Sequence, residues 1–234
     1  METKQNSWKH KDDWGIKELV LLLLVEFGLV IGGIKFIVQP FVSQWFNNDL
    51  YAGTFIGLIM AIVLVVSIYL IALRPNRLTW GEVGVRAFDS KRWKLIIIGT
   101  IILMIGVVVI TLITSFIGNT WENSKTEAIQ QNLSVHGILI ALVSAAVISP
   151  IYEEIFYRGF LFRWFRTRLG FGGAALLSSF IFSIVHIPTY NVIPVAFFSG
   201  IIFAYSYEKT SSIWSAVIIH GLSNGIMVLL TTTA

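Results

Sequence analysis

The chain has 234 residues, of which 56% are hydrophobic and 13% charged, and a mean hydropathy of +0.78. Soluble domains carry about 25% charged residues, so composition excludes an ordinary soluble globule, and the absence of cysteine excludes disulfides, thiolate nucleophiles and cysteine-bound zinc or iron–sulfur clusters. The net charge of +4 would suit nucleic acid in a soluble chain, but in a membrane chain it points to lysine and arginine in cytoplasmic loops.

A bilayer core about 30 Å thick needs roughly 20 apolar residues at ~1.5 Å rise each, which leaves room for seven or eight spans. The first span is read over 16–38, despite Lys17, Glu18, Glu26 and Lys35 within it. Its long polar lead, the interruption at Glu26 and the lack of a small-residue cleavage site favour a retained helix over a signal peptide. Residues 50–73 and 95–117 are uncharged runs of 24 and 23 residues, each a span. The next apolar run starts at Gly137 and closes at Tyr152, before Glu153 and Glu154. Beyond it, glycines 170, 172 and 173, the stretch from Pro188 to Pro194 and the polar residues 208–212 delimit spans near 172–187, 192–207 and 212–232. The fold class is thus all-α, a polytopic membrane helical bundle of about seven transmembrane helices with room for an eighth.

Assigning loops to alternate sides puts 15 of the 17 basic residues on one side, Lys35 and Lys125 being the exceptions. The positive-inside bias then places the chain in the cell membrane with the N-terminus cytoplasmic and, after seven spans, the C-terminus outside. All eight tryptophans fall in polar segments or near span ends, as interfacial anchors do. The segment 158–168, arginines interleaved with aromatics, reads as a helix lying on the cytoplasmic headgroups rather than as a nucleic-acid contact. Pairs of glycines four apart (Gly28/Gly32, Gly53/Gly57, Gly221/Gly225) predict close helix packing.

Charges at mid-bilayer cost at least ~2.5–3.5 kcal/mol each, so those present need partners. Glu154 and Arg158 stand four apart in the favourable order for a same-face pair. Glu153, about 100° around the helix, need not be neutralised by that arginine and can then act as a general base, the alternative being that both glutamates and Arg158 form one structural ion network. His186 lies one turn after Phe182, and Pro188 removes the usual helical donor to the Ile184 carbonyl. His220 and Asn224 share a face on the last span. A shared polar cavity would let these groups satisfy one another, and a carboxylate, two imidazoles and an amide suit peptide-bond hydrolysis by an activated water, with donors for the oxyanion. Glu153, His186 and His220 would equally suit a divalent metal such as zinc; spacing alone does not decide, although the HExxH signature is absent. His10 and His136 read as solvated, and Glu26 and Lys35, nine apart, as reaching other helices or snorkelling.

The ordered set EExxxR (Glu153, Glu154, Arg158), FxxxH (Phe182, His186) and HxxxN (His220, Asn224), each on its own C-terminal helix, resembles the CPBP family of intramembrane proteases. That family groups type II CAAX prenyl proteases with bacterial bacteriocin-processing and self-immunity (Abi) proteins. The resemblance implies an endopeptidase whose site opens to the cytoplasmic side. In it Glu153 with His186 activates the water, His220 with Asn224 forms the oxyanion site, and Glu154 and Arg158 organise the helix. It divides one integrated membrane domain into N-terminal helices with a cytoplasmic loop (1–136) and a catalytic core (137–234). No cofactor is required on the reading preferred here. The implied partners are membrane lipids and a peptide or protein substrate, such as a prenylated protein or a bacteriocin or pheromone precursor, and not nucleic acid.

Counted from the span ends above, Glu153 is a few residues deep, His220 about eight and His186 about fourteen, a spread of more than ~10 Å on straight helices. A break at Pro150 or an earlier start to the 172–187 span is therefore expected. Two other functions fit the same residues: a non-enzymatic immunity or scaffold protein that binds a peptide or toxin, and a proton-coupled transporter with Glu153, His186 and His220 as relay. The absence of inverted-repeat signs counts against the transporter.

Overall fold

A computed structural model of the chain describes residues 7–116 and 122–233. Lys4, Ile117 and Trp121, assigned above to a loop, a span end and an interface, lie outside them. The helices are α1 (Ile16–Phe46), α2 (Asp49–Leu73), α3 (Ser90–Ser115), a short α4 (Ser124–Gln130), α5 (135–169), α6 (171–184), α7 (Tyr190–Thr210) and α8 (Ile213–Thr231), with no strand among the described residues. The protein is a multi-pass membrane helical bundle. Polar side chains start the helices: Asn48 accepts from the Tyr51 amide at 3.1 Å, Ser134 from Gly137 at 3.1 Å and Ser212 from Trp214 at 3.2 Å.

The largest departure from expectation is α5. It does not end at Tyr152 but continues through both glutamates to residue 169, where Gly170 (φ 71°, ψ −178°) reverses the chain, a conformation natural to glycine. The next helix, α6, folds back along it, so that Phe171 meets Phe162 at 6.2 Å and Phe182 meets Tyr157 at 5.0 Å. Apolar runs locate a span end only when the charges that follow them face water. Here Glu154 and Arg158 are fully buried and neutralise each other inside the protein. Glu153 therefore stands in mid-helix, which removes the disparity in depth without a break at Pro150.

For the same reason 158–168 is not a headgroup helix. Tyr157, Arg158 and Phe160–Phe162 are buried, and the arginines that follow pair with other elements: Arg163 with Glu82 at 2.7 Å, Arg166 with Glu208 at 3.0 Å and Arg168 with Asp12 at 2.7 Å. Trp8 and Trp14 likewise are not interfacial anchors. Both are buried, their indole N–H groups donating to Ser211 Oγ at 2.9 Å and the Ala72 carbonyl at 3.0 Å, which seals the N-terminal segment onto the helix ends.

These contacts gather residues 8–14, 72–86, 163–168 and 208–211 at one end of the bundle. At the other, Asn48 Nδ2 donates to Asn132 Oδ1 at 2.7 Å and Asn191 Nδ2 to the Glu122 carbonyl at 2.9 Å. The loops thus alternate between ends as the charge pattern requires. Of the glycine pairs, only Gly221/Gly225 packs closely, against Ala146 of α5. A Cβ at Gly28, Gly53 or Gly57 would meet no described neighbour within 4 Å, and one at Gly32 would meet its own helix, so those pairs do not serve helix packing in this chain.

Candidate active site

The site is built where α5, α6, α7 and α8 meet. Ahead of Pro150 the turns of α5 widen, and the Ser149 amide donates five residues back to Ser144. The following acceptor, the Ala145 carbonyl, would be served by residue 150, but proline has no N–H. Asn224 Nδ2 of α8 supplies the missing donor at 2.9 Å. Gly221, one turn before Asn224, lets α8 come down onto the Ala146 carbonyl, where a Cβ would collide. A proline on one helix and an HGxxN pattern on another thus lock together in a fixed register.

That register brings His220 onto the acidic pair. Its Nδ1 lies 2.9 Å from Glu154 Oε1, and the same oxygen accepts from Arg158 Nη1 at 3.2 Å. Arg158 Nη2 donates to the Gly200 carbonyl of α7 at 3.2 Å. The guanidinium lies between aromatic faces, its Cζ 4.5 Å from the Phe182 ring centre and 5.0 Å from that of Phe203. Phe203 also stacks on His220 at 4.6 Å with 20° between the planes. Arginine and imidazole are therefore both held by the Glu154 carboxylate and by aromatic rings.

The geometry differs for the remaining predicted residues. Glu153 does not share Arg158; its Oε2 lies 3.9 Å from His220 Nε2, beyond hydrogen-bond length and enough to admit a bridging atom. His186 is fixed by its own helix: Nδ1 is 2.8 Å from the Phe182 carbonyl, which can only accept, so Nδ1 carries the proton and Nε2 is left as an acceptor. The Ile184 carbonyl deprived by Pro188 is served by the Ile187 amide at 3.1 Å. No hydrogen bond or ion pair joins His186 to Glu153 among the described residues. What links the two imidazoles is the Phe182 ring, edge-on to both at 5.1 Å and 5.9 Å. His10 and His136 are exposed, away from this cluster. Among the described residues no group of three or more His, Asp or Glu side chains has a metal-holding arrangement, so Glu153, His186 and His220 do not form a preset ligand set.

Three contributors, Phe203, Tyr157 and Gly200, escaped the sequence reading, and Glu26 and Lys35 were read without their partners. Phe203 carries no pattern that ties it to His220. Tyr157 donates to Glu26 Oε1 of α1 at 2.6 Å, Lys35 Nζ to the Val185 carbonyl at 2.8 Å, and Gly200 supplies a bare carbonyl. For Glu26 and Lys35 the signal was present as intramembrane charge, and each does reach another helix as expected; only their partners were hidden.

Residues 135–226 match the family model described as Rce1-like, type II CAAX prenyl endopeptidase. The matched stretch carries the Glu153/Glu154/Arg158, Phe182/His186 and His220/Asn224 motifs, so the match agrees with the resemblance to the CPBP family. The membrane-embedded CAAX protease MroQ of Staphylococcus aureus is 28% identical over 199 residues, 81% of this chain and 78% of that protein, so the likeness extends into the first helices. YdiL of Bacillus subtilis, named as a membrane peptidase, is 28% identical over 109 residues, 47% of this chain and 43% of the relative, so that match spans less than half of YdiL. No solved structure matches the chain. The four helices that hold the matched residues, α5 to α8, all contribute to the charged cluster described above.

Proposed function

We propose that the chain is an intramembrane endopeptidase in which Glu153 activates the hydrolytic water. The observation that carries the reading is the division of labour between adjacent carboxylates. Glu154 is consumed by Arg158 and His220, whereas Glu153 has, among the described ion pairs, only the long approach to His220. A carboxylate spared by the local cation and set beside a gap is what a general base requires.

In the proposed reaction Glu153 takes a proton from water as its oxygen attacks the scissile carbonyl carbon. His186 Nε2, left as an acceptor, holds the second hydrogen of that water. The oxyanion is met by the His220 imidazole, oriented by Glu154, and by the Asn224 amide hydrogen not spent on Ala145. Glu153 then passes its proton to the leaving amine. Glu154 and Arg158 position His220 and do not touch substrate. We place the arginine-rich end in the cytoplasm, the C-terminus outside, and a peptide or protein, prenylated or a secreted-peptide precursor, as substrate.

The test compares peptide termini from cells expressing wild type or Glu153→Gln at matched membrane levels, followed by cleavage of the peptides so found with purified protein. Loss of a general base is expected to cost about 10²–10⁴ in rate. Identical termini, with a cellular phenotype that survives the substitution, would assign a binding or immunity module. Activity lost to a zinc chelator and restored by zinc would replace the water mechanism with the metal-bound one.

A further inference from the structure

Lys35 lies on α1, outside the matched residues, half-buried, with Nζ 2.8 Å from the Val185 carbonyl. Val185 precedes His186, so the ammonium stands at the turn that carries one of the candidate site's imidazoles. A cation at membrane depth needs a countercharge, and a neutral carbonyl meets only part of that need. Among the described residues no carboxylate lies within ion-pair distance of Lys35. Glu26 and Glu153 are within electrostatic range, but Tyr157 occupies the first and His220 faces the second. Lys125 of α4, the other basic residue away from the arginine-rich end, is within range of both Lys35 and His186. The two exceptions to the charge pattern thus stand on one flank of the site, where Glu26 and Glu153 are in electrostatic range of Lys35 but neither forms a described ion pair with it.

We infer that Lys35 is a specificity-determining residue that receives a carboxylate of the substrate peptide, either its free C-terminus or an acidic side chain near the scissile bond. An ammonium has three donors; Val185 takes one, and two remain for a carboxylate. This rests on the peptidase reading above, and anchoring the peptide beside His186 would set which bond reaches Glu153.

The test uses the full chain in phosphatidylcholine nanodiscs and a peptide that wild type cuts and Glu153→Gln spares. The peptide is made as C-terminal acid and carboxamide, and again with its Asp and Glu replaced by Asn and Gln. Wild type is expected to prefer one charged form over its neutral counterpart at least tenfold in kcat/KM, through KM, and the pair that shows the preference identifies the carboxylate. Lys35→Gln, which keeps a donor for Val185, should bring the preference within twofold, and Lys35→Arg should retain it. An equal fall on charged and neutral peptides in Lys35→Gln, or no charge preference in wild type, overturns the proposal and leaves Lys35 as a tether of the His186 turn. A preference that vanishes when phosphatidylglycerol replaces part of the phosphatidylcholine assigns Lys35 to a lipid phosphate and overturns it too. If no peptide distinguishes wild type from Glu153→Gln, the peptidase reading itself has failed, whatever Lys35 does.

Discussion

Helices α3 and α8 are both long and apolar, yet 17% of the apolar window of α3 is buried within the protein against 50% for α8. The first turns Ile97, Ile98, Ile101, Ile105 and Val108 outward; the second buries Ser215, His220, Gly221 and Ser223. In lipid, apolar surface gains little by leaving one hydrocarbon for another, so interiors are assembled from small and polar residues that bring backbones close and bond across helices. Of the serines buried on α6 and α7, Ser179 packs where a Cβ on Gly200 would collide, and Ser206 Oγ donates to Ser215 Oγ of α8 at 2.6 Å. Helix α3 thus presents a largely lipid-facing wall, whereas α8 lies in the interior and carries His220 and Asn224 of the candidate site.

The sharpest way to break this contrast is to unbalance the buried charges. Arg158→Met leaves the Glu154 carboxylate without its cation and should cost about 3–5 kcal/mol. Adding Glu154→Gln should recover part of that loss, measured by thermal unfolding of the detergent-solubilised protein. Next, Gly221→Ala forces a Cβ onto the Ala146 carbonyl and should destabilise by about 1–3 kcal/mol, with Asn224 pulled from Ala145. Gly53→Ala, at an open position of α2, should change the same melting curve by less than about 0.5 kcal/mol. A cost at Gly53 equal to that at Gly221 would show that this face of α2 is itself packed against protein. Tyr157→Phe strips Glu26 of its donor across the contact between α1 and α5 and should cost about 1–3 kcal/mol, relieved by adding Glu26→Leu. Trp14→Phe should cost about 1 kcal/mol for the lost bond to Ala72, read as earlier proteolysis of the N-terminal segment.

Helix number, the alternation of loops and the Glu154–Arg158 pair were legible because each depends on local spacing: twenty apolar residues, charges at turns, four residues on a helix face. The span end near Tyr152, the headgroup helix at 158–168 and the interfacial roles of Trp8 and Trp14 were misread for one reason. Each assumed that a residue's neighbours in space are water, lipid or its own helix. The arginines met carboxylates up to 156 residues away, as in the Arg168–Asp12 bonds, and the tryptophans met the ends of other helices.

By itself the sequence determined that this chain crosses the membrane as helices and that a small set of Glu, His, Arg and Asn side chains had to find one another inside it, because hydrocarbon offers such groups no other partner. Tertiary structure alone decided which met which. Pro150 emptied the ladder at Ala145 and Asn224 filled it; that register set His220 between Glu154 and Glu153, and the reversal at Gly170 brought Phe182 and His186 alongside. Such pairings follow from the relative rotation and rise of packed helices, quantities that local periodicity does not contain.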